Sequence, residues 1–300
     1  MTTTDTFLGV GRAGAAERPA AVLLGAPVVS PYPGRVPHST EGPAAIRAAS
    51  RRLAPFVGHH DFDTGAPFAP WHAHVVDAGD LALDPLDAAG NRLVVQDAVG
   101  GVLAAGALPL LLGGDDSTGI PFLAAWEDHA PITVVQLDAH LDHRDEVDGF
   151  RLGYSSPMRR ASEMPWVRRI IHLGQRGVGS ARPSDVQDTL AAGNLIVPAR
   201  ELIERGAAAA AGLLARDEPF VIVLDVDGID PTQMPAVRAP VPSGPDLAFV
   251  TTLFAALIGR GMFGGLVVTE LEPPLDLNGI SSLAVARLLC RILDEALRAD

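Results

Sequence analysis

Short apolar runs alternate with longer stretches rich in Ala, Leu and Arg along most of this chain. The short runs end in Gly or Asp, and most are apolar at every position, which is typical of parallel strands covered by helices on both faces. The longer stretches have helical composition, and some begin with Gly-Pro or Pro, which suits a first helical turn. We therefore expect an α/β fold, a three-layer α/β/α domain around a mostly parallel central sheet.

The predicted strands are the apolar runs at positions 21–25, 74–76, 108–112, 132–137, 170–173, 220–224 and 266–269. The predicted helices cover positions 43–53, 88–106, 119–129, 183–192, 201–215, 246–258 and 280–297. Gly and Pro are scattered rather than concentrated in one linker, so residues 20–300 are expected to form a single domain. The Ala-rich N-terminal arm, residues 1–19, is expected to be partly disordered.

The composition restricts the possible binding partners and the expected cellular location of the protein. The 300 residues include 23 Lys and Arg against 36 Asp and Glu, a formal net charge of −13. Such an excess of acid disfavours binding to nucleic acid or to an anionic membrane surface. The single cysteine, Cys290, excludes an intramolecular disulfide framework and a thiolate zinc cluster. With no signal-peptide pattern and no apolar stretch of about 18 residues, a cytoplasmic protein is expected.

Acidic residues gather directly after three of the predicted strands. Residues 113–118 read GGDDST, residues 138–142 read DAHLD, and residues 225–231 read DVDGIDP. Open parallel sheets form their ligand crevices at the carboxyl ends of the strands. These segments are therefore the candidates for the chemistry of the protein.

The DAHLD segment suggests a metal site. Asp138, His140 and Asp142 alternate, so an extended backbone would aim all three side chains in one direction. Asp225 and Asp227 repeat the spacing at another strand end. Buried like charges must protonate, pair or bind a cation, and a metal is the simplest solution. Oxygen ligands with one or two imidazoles suit Mn²⁺ better than thiolate-preferring Zn²⁺.

Simpler interpretations apply to isolated residues. A lone acid such as Asp80 or Asp84 is expected to cap a helix or a turn, and GGDDST by itself can be a loop before a capped helix. Capping does not explain a His between two acids together with a second Asp-x-Asp. Four histidines in a polar connecting stretch are expected to be solvated rather than ligands: His59, His60, His72 and His74.

The DAHLD and DVDGIDP segments together resemble the signature pair of the ureohydrolases, the arginase and agmatinase family. The resemblance extends over roughly residues 20–295 and is closer to the agmatinase branch than to true arginases. Further matches occur in the order of the family: GPAAIR at 42–47, DAGD at 77–80, GGD at 113–115, MRRA at 158–161, LGQRG at 173–177 and ELEP at 270–273.

The resemblance implies an arginase-like fold and a binuclear Mn²⁺ site, with two ions per subunit. Such a site hydrolyses a guanidino compound to urea and an amine by attack of a metal-bound hydroxide. Matched residue by residue, Asp138 and Asp225 would be shared between the ions. Asp142 would complete the shell of one ion, and His140 and Asp227 would complete that of the other.

The resemblance also implies catalytic roles and an assembly. Asp142 would relay a proton to the leaving amine, and Glu270 would receive the substrate guanidinium. The family further implies a homo-oligomer, a trimer or a hexamer. The sequence itself does not derive the number of subunits.

Two positions depart from the family pattern. Asp116 stands where the family usually has a His that ligates the first metal. Asp can ligate Mn²⁺ as well, but an all-carboxylate shell should have weaker Lewis acidity or prefer a different ion. Tyr154 falls near a family His in a His-Gly-Thr stretch, so it is a candidate substrate contact in place of a family proton shuttle.

Two arginines indicate the charge of the group at the far end of the substrate. Arg238 after the second motif and Arg144 after the first would put positive charge at the mouth of the site. A cation there repels the free ammonium of agmatine and attracts a carboxylate. We therefore hypothesise a guanidino acid, such as guanidinobutyrate or guanidinopropionate, as the substrate. The alternative is that both arginines pair with surface acids.

Three functions stay open at this stage. The first is an active amidinohydrolase that acts on agmatine or on a guanidino acid. The second is a catalytically impaired member with a structural or regulatory role, suggested by Asp116 and Tyr154. The third is a hydrolase of another C–N bond, such as a formimino group. Retention of Glu270 and of both acid motifs favours the first, because buried acids without a function are costly to keep.

Overall fold

The computed structural model describes residues 5–14 and 18–298. Within these residues the strands are β1 (Gly11–Arg12), β2 (Ala21–Ala26), β3 (His60–Asp61), β4 (Ala66–Pro67), β5 (Val75–Asp80), β6 (Leu108–Gly113), β7 (Ile132–Leu137), β8 (Val167–Leu173), β9 (Leu195–Val197), β10 (Pro219–Asp225) and β11 (Met262–Thr269). The central sheet has the order β1-β5-β2-β6-β11-β10-β7-β8-β9, and neighbouring strands in it are parallel. β3 and β4 form a separate antiparallel pair.

Helices lie between most of the strands along the chain, because two parallel strands need a long crossover connection. They are α1 (Gly42–Ser50), α2 (Ala88–Ala104), α3 (Gly119–Ala124), α4 (Pro157–Ser162), α5 (Pro183–Ala191), α6 (Ala199–Arg205), α7 (Ala207–Ala211), α8 (Leu247–Ile258) and α9 (Ile280–Ala296). Proline lies in the first turn of α1, α4 and α5, and aspartate side chains cap α2 and α8. Among the described residues, no helix combines the length and the apolar content that crossing a bilayer requires.

The core has two halves, one on each face of the sheet. β10 sends Phe220, Ile222 and Leu224 to one face and Val221 and Val223 to the other, because side chains alternate along a strand. The first face packs against α1, α8 and α9, and the second against α2, α3 and α4. The predicted three-layer α/β/α architecture is therefore confirmed.

Short elements were the hardest to predict. The predicted helix at 201–215 is two helices, α6 and α7, separated at Gly206, whose φ of 79° lies in the left-handed region. The predicted helix at 119–129 ends at Ala124. Neither β9 nor α4 was predicted, because three and six residues are too few to show a period.

Part of the predicted N-terminal arm packs against the domain. β1 pairs with β5 at the edge of the sheet, and Phe7 and Leu8 are buried in the core. The backbone N–H of Phe7 donates to Asp77 at 2.7 Å, and that of Leu8 donates to the hydroxyl of Ser50 at 2.8 Å. Residues 5–14 therefore contribute to the fold. Residues 1–4 and 15–17 of the arm lie outside the described residues, so the predicted disorder stays untested there.

Candidate metal centre and active-site pocket

The four central strands carry acids at their carboxyl ends. Asp116 follows β6, Asp138 follows β7, Asp225 ends β10 and Glu270 follows β11. Because these strands are neighbours in the sheet, the three acidic sequence motifs meet at one place. All four side chains are buried.

Two overlapping groups of side chains have the spacing of metal ligands. In each group, one ligand atom from every residue lies within 4.8 Å of the others. The groups are Asp138, His140, Asp225 and Asp227, and Asp116, Asp138, Asp142 and Asp225. The structure thus brings together all six side chains that the sequence indicated as ligands, and the two common members are the pair expected to be shared.

The geometry that joins the DAHLD side chains differs from the expected one. The condition of an extended backbone is not met, because β7 ends at Leu137 and Asp142 has a φ of 47°. A turn takes its place, in which the backbone N–H of His140 donates to Asp138 Oδ1 at 2.5 Å. His140 Nδ1 lies 2.9 Å from Asp227 Oδ2 on the neighbouring loop. Turn geometry, rather than alternation along a strand, gathers these residues.

Asp142 and Glu270 share an uncommon backbone conformation. Their φ angles are 47° and 65°, in the left-handed region that residues other than glycine rarely adopt. The chain turns sharply as it leaves β11, where the backbone N–H of Glu270 donates to the carbonyl of Gly114 at 2.8 Å. Strained backbone of this kind concentrates at functional sites. The two residues that the sequence indicated as catalytic are both held in this way.

The two acid motifs pack tightly against each other. The backbone N–H of Ala139 donates to Asp227 Oδ1 at 3.2 Å, and that of Asp227 donates to Asp225 Oδ1 at 2.8 Å. A Cβ atom on Gly228 would lie 2.7 Å from the backbone nitrogen of Asp138. Only glycine permits this approach of the two loops, which explains the glycine in the DVDG segment.

Arg176 holds the DVDG loop in place through hydrogen bonds to backbone carbonyls. Its half-buried guanidinium donates to backbone carbonyls at 2.8–3.2 Å on three separate segments of the chain. The acceptors are the carbonyls of Gly174, Asp227, Gly228, Ile229 and Val241. A guanidinium has five N–H donors in a rigid plane, and here they join the end of β8 to the DVDG loop.

Burial and crowding alter the ionisation of these acids. Burial, together with the neighbouring charge of Asp138, raises the pKa of Asp116 to about 7. Burial and Asp227 raise the pKa of Asp138 to about 6. Burial and nearby carboxylates also raise the pKa values of three further acids well above their usual range: Asp142, Asp225 and Glu270. The acids therefore cannot all ionise unless a cation balances them.

His140 responds in the opposite direction. Burial alone lowers its pKa, but its contacts with Asp138 and Asp227 outweigh burial and raise the pKa to about 11. In the metal-free protein its imidazolium therefore supplies part of the positive charge that the carboxylates require. A metal ligand must be the neutral imidazole, so a bound cation would replace that proton.

The donor set fits divalent cations. Asp116 Oδ1 accepts a hydrogen bond from the hydroxyl of Thr269. Asp116 Oδ2 is buried and has no hydrogen-bond partner among the residues that the structure describes. A buried carboxylate oxygen without a donor is costly, and a cation bound by the surrounding carboxylates would satisfy it. Oxygen atoms with one imidazole suit a hard or borderline divalent ion.

Glu270 has a partner that the sequence did not indicate. His38 Nε2 lies 3.1 Å from Oε1 and 2.9 Å from Oε2 of Glu270, and both residues are buried. The backbone N–H of Asp116 donates to Oε1 of the same carboxylate at 3.0 Å. His38 lies in a Pro-rich connection with no periodic pattern, so no signal in the sequence separates it from a solvated loop histidine.

A pocket of about 530 Å³ opens above the acids. Tyr154 forms one wall, where its ring meets those of His38 and Tyr32 edge to face. Most of the residues with predicted roles line this pocket: Asp116, His140, Asp142, Tyr154, Asp225, Asp227, Arg238 and Glu270. Of the four histidines expected to be solvated, none lines this pocket or belongs to either ligand group within the described part of the chain.

Arginines line the same pocket. Arg144, Arg182 and Arg238 all contribute to its wall. Arg144 lies 3.5 Å from Asp185, so for this residue the alternative of pairing with an acid applies. Arg238 is exposed and forms no hydrogen bond or ion pair with any residue that the structure describes. The pocket is therefore acidic in its depth and carries positive charge along its wall.

The comparisons with known proteins agree with this arrangement. Residues 19–294 match the model of the Arginase family. The chain belongs to the arginase family. It is 30% identical to the mitochondrial agmatinase of Gallus gallus, over 91% of this chain and 80% of that protein. It is 30% identical to the guanidinobutyrase of Pseudomonas aeruginosa, over 84% of this chain and 79% of that protein.

A solved relative extends the agreement to the whole fold. The proclavaminate amidinohydrolase of Streptomyces clavuligerus is 31% identical over 93% of this chain and 88% of that protein. Its structure superimposes with a TM-score of 0.87, covering 99% of this chain and 98% of that one. The resemblance to the agmatinase-like ureohydrolases and the arginase-like fold expected from the acid motifs are thus confirmed.

Behind this arginase-family site lies a buried network that orients Asp138. Gln136 Nε2 donates to Asp138 Oδ2 at 2.6 Å, and Gln136 Oε1 lies 2.5 Å from His172 Nδ1. Since a carboxylate only accepts, the amide nitrogen must face Asp138, and His172 must carry its proton on Nδ1. Burial lowers the pKa of His172 to about 3, so its ring is neutral. Through Gln136 the network donates one hydrogen bond to Oδ2 of Asp138, the carboxylate that belongs to both ligand groups.

Proposed function

We propose that this protein hydrolyses a guanidino compound to urea and an amine at a pair of divalent cations. The observation that carries the proposal is the pair of overlapping ligand groups with Asp138 and Asp225 in common, in the depth of a pocket of about 530 Å³. Shared carboxylates support two adjacent ions rather than two separate sites. The proposed ligands are Asp116, Asp138, His140, Asp142, Asp225 and Asp227.

Mn²⁺ is the proposed ion, two per subunit. One ligand group consists of carboxylates alone, and the other includes His140. Hard oxygen donors favour Mg²⁺, Ca²⁺ or Mn²⁺, and the imidazole favours Mn²⁺ among these. When bound, the cations would supply Lewis-acid activation of a water molecule and stabilise developing negative charge.

Two side chains of the chain itself would handle the substrate. Glu270 would bind the guanidinium, because its buried carboxylate lines the pocket beside the ligand groups. Asp142 would transfer a proton to the leaving amine. It also lines the pocket, so it lies beside the space that a substrate would occupy.

We further propose that the substrate is a guanidino acid. The unpaired Arg238 would attract the carboxylate of such a substrate and repel the ammonium of agmatine. Arg144 and Arg182 would add to this potential, and Tyr154 would pack against the connecting methylene groups. The relatives of about 30% identity include an agmatinase as well as a guanidinobutyrase and a human guanidino acid hydrolase, so the choice of substrate rests on the arginines of the pocket rather than on these names.

The test is urea release by the purified, Mn²⁺-reconstituted protein. The panel comprises agmatine, arginine, guanidinobutyrate, guanidinopropionate and free guanidine, with Asp138→Asn as the inactive control. Urea from a guanidino acid at a higher kcat/KM than from agmatine is the expected result. A clear preference for agmatine would refute the assignment of the substrate and leave the reaction in place.

The same assay decides between the alternatives. No urea from any compound, with Mn²⁺ and then with Co²⁺, Ni²⁺ and Zn²⁺, would indicate an impaired member with a structural or regulatory role. Ammonia or formamide release from a formimino compound would indicate hydrolysis of the other C–N bond. The homo-oligomeric state, trimer or hexamer, and the cytoplasmic location stay predictions, which gel filtration with light scattering and cell fractionation would test.

A further inference from the structure

His38 occupies the position from which a guanidinium binds a carboxylate. Its Nε2 lies 3.1 Å from Oε1 and 2.9 Å from Oε2 of Glu270, so it sits close to the bisector between the two oxygens. A guanidinium reaches a carboxylate from this same side, with two parallel N–H groups, one for each oxygen. A single imidazole N–H therefore blocks both acceptors that the substrate requires.

The contact leaves Glu270 incompletely satisfied. Only one N–H of His38 is shared between the two oxygens, and the further donor, the backbone N–H of Asp116 at 3.0 Å, reaches Oε1 alone. A carboxylate has about four lone-pair sites. A ligand with two N–H donors would thus form a better contact than His38, whereas a ligand with one suitable donor would gain nothing by displacing it.

The surroundings of His38 allow its ring to move. One side of the imidazole packs edge to face against the ring of Tyr154, but His38 also lines the pocket of about 530 Å³, so free space adjoins the imidazole there. The preceding residues 33–36 are exposed, and Arg35 joins them to Tyr154 at 3.2 Å and to Asp148 at 3.0 Å on the surface. Ser39 on the other side is anchored by Glu272 at 3.0 Å. The imidazole can leave Glu270 while the backbone on both sides keeps its anchors.

We propose that His38 is a gating residue, whose imidazole holds the carboxylate of Glu270 until a guanidinium displaces it. The inference rests on the proposed function in one respect, the assignment of Glu270 as the guanidinium site. It makes His38 a determinant of specificity, because only a planar group with two donors replaces the contact that is lost. It also means that the wild-type protein binds guanidino compounds more weakly than the same pocket would without the contact between His38 and Glu270.

The test is equilibrium binding of 4-guanidinobutyrate to the metal-free protein, in which no turnover occurs, by isothermal titration calorimetry. His38→Ala is expected to bind about tenfold more tightly, the equivalent of one charge-assisted hydrogen bond that need not be broken. His38→Gln keeps a donor for Glu270 and should remain near the wild type. His74→Ala, a change at an exposed histidine outside the pocket, is the matched control.

Nuclear magnetic resonance provides a second readout. The side-chain N–H signal of His38, identified by its absence from the His38→Ala spectrum, should disappear or shift to a solvent-exposed position as 4-guanidinobutyrate saturates the protein. A histidine that merely supports Glu270 would keep its signal. Thermal melts of each variant confirm that it is folded at the temperature of the measurement.

The outcomes separate the gate from the proposed function. If His38→Ala binds equally or more weakly while Glu270→Gln abolishes binding, His38 orients Glu270 and the gate is refuted, but the guanidinium site stands. If Glu270→Gln binds as tightly as the wild type, the guanidinium binds elsewhere, and both the gate and that part of the proposed function fail. Tighter binding by His38→Ala together with loss in Glu270→Gln supports the gate.

Discussion

Replacing Gln136 with leucine tests whether the network behind the metal centre controls metal binding. Gln136 and Asp138 are fully buried, and the amide donates to Oδ2 of Asp138 at 2.6 Å. Leucine has a similar size but no donor, so Oδ2 would lose its only hydrogen bond from a side chain in the described part of the chain. The change therefore removes one interaction and leaves the packing of β7 nearly intact.

The magnitude follows from the charge on the acceptor. A hydrogen bond to a charged group contributes about 1.5–3 kcal/mol. The unfolding free energy of the metal-free protein should therefore fall by about 2 kcal/mol in Gln136→Leu. Loss of the group that orients a metal ligand typically weakens metal binding about 10–100-fold, so Mn²⁺ should bind at least tenfold more weakly.

Mn²⁺ titration of the metal-free protein by calorimetry measures the effect, and urea unfolding gives the stability. Gln96→Leu, the same change at a half-buried glutamine of α2 outside the site, is the control and should bind Mn²⁺ like the wild type. His172→Leu should lie between them, because the bond from Gln136 to Asp138 survives without its second anchor. Equal Mn²⁺ affinities of Gln136→Leu and Gln96→Leu would refute the reasoning.

Three further predictions follow. Arg238→Glu should raise the KM for guanidinobutyrate about tenfold or more without raising that for agmatine, measured by urea release; equal changes for both would contradict a tail contact. Arg176→Lys should lower the unfolding free energy by about 2 kcal/mol in urea melts, because a lysine has three donors where five are used. The raised pKa values of Asp116, about 7, and Asp138, about 6, mean that the folded state holds protons that the unfolded state releases. In the presence of a chelator, the contribution of these two groups to the unfolding free energy should thus be largest below about pH 4 and fall as the pH rises to about 7. Saturating Mn²⁺ should remove this fall. A metal-free protein whose unfolding free energy is constant over this range would contradict the prediction.

The sequence was sufficient to predict the central parallel strands of the fold and the acidic residues that meet at the candidate metal centre. β10 is apolar from Pro219 to Leu224 and β7 is apolar at four of its six positions, which predicts parallel central strands. Acids directly after such strands must lie at the carboxyl edge of the sheet, so their meeting could be foreseen without knowledge of the turns. The resemblance to a known family then indicated which two acids belong to both ligand groups.

The contacts that the sequence could not predict connect distant or unpatterned positions. His38 and Glu270 are 232 positions apart, and the contact depends on the path of a Pro-rich loop rather than on any period. Gln136 and His172 lie within strands and interrupt apolar runs by one polar residue each. Such a residue indicates a buried hydrogen bond but not its partner, because the register between β7 and β8 is fixed only in the folded protein.

Asp116 and the arginines of the pocket wall together support the proposal that the substrate is a guanidino acid. With a carboxylate where an imidazole is usual, one ligand group consists of acids alone, so the depth of the pocket keeps more negative charge after cations bind. That negative charge attracts the positive charge of a guanidinium. The unpaired Arg238 on the wall attracts the opposite end of the same molecule. A guanidino acid is therefore expected to match both ends. Agmatine should match the depth and be repelled at the wall, and free guanidine should gain nothing from the wall. The departure at Asp116, which could be taken for decay of the site, is in this arrangement one half of a charge pattern whose other half is Arg238.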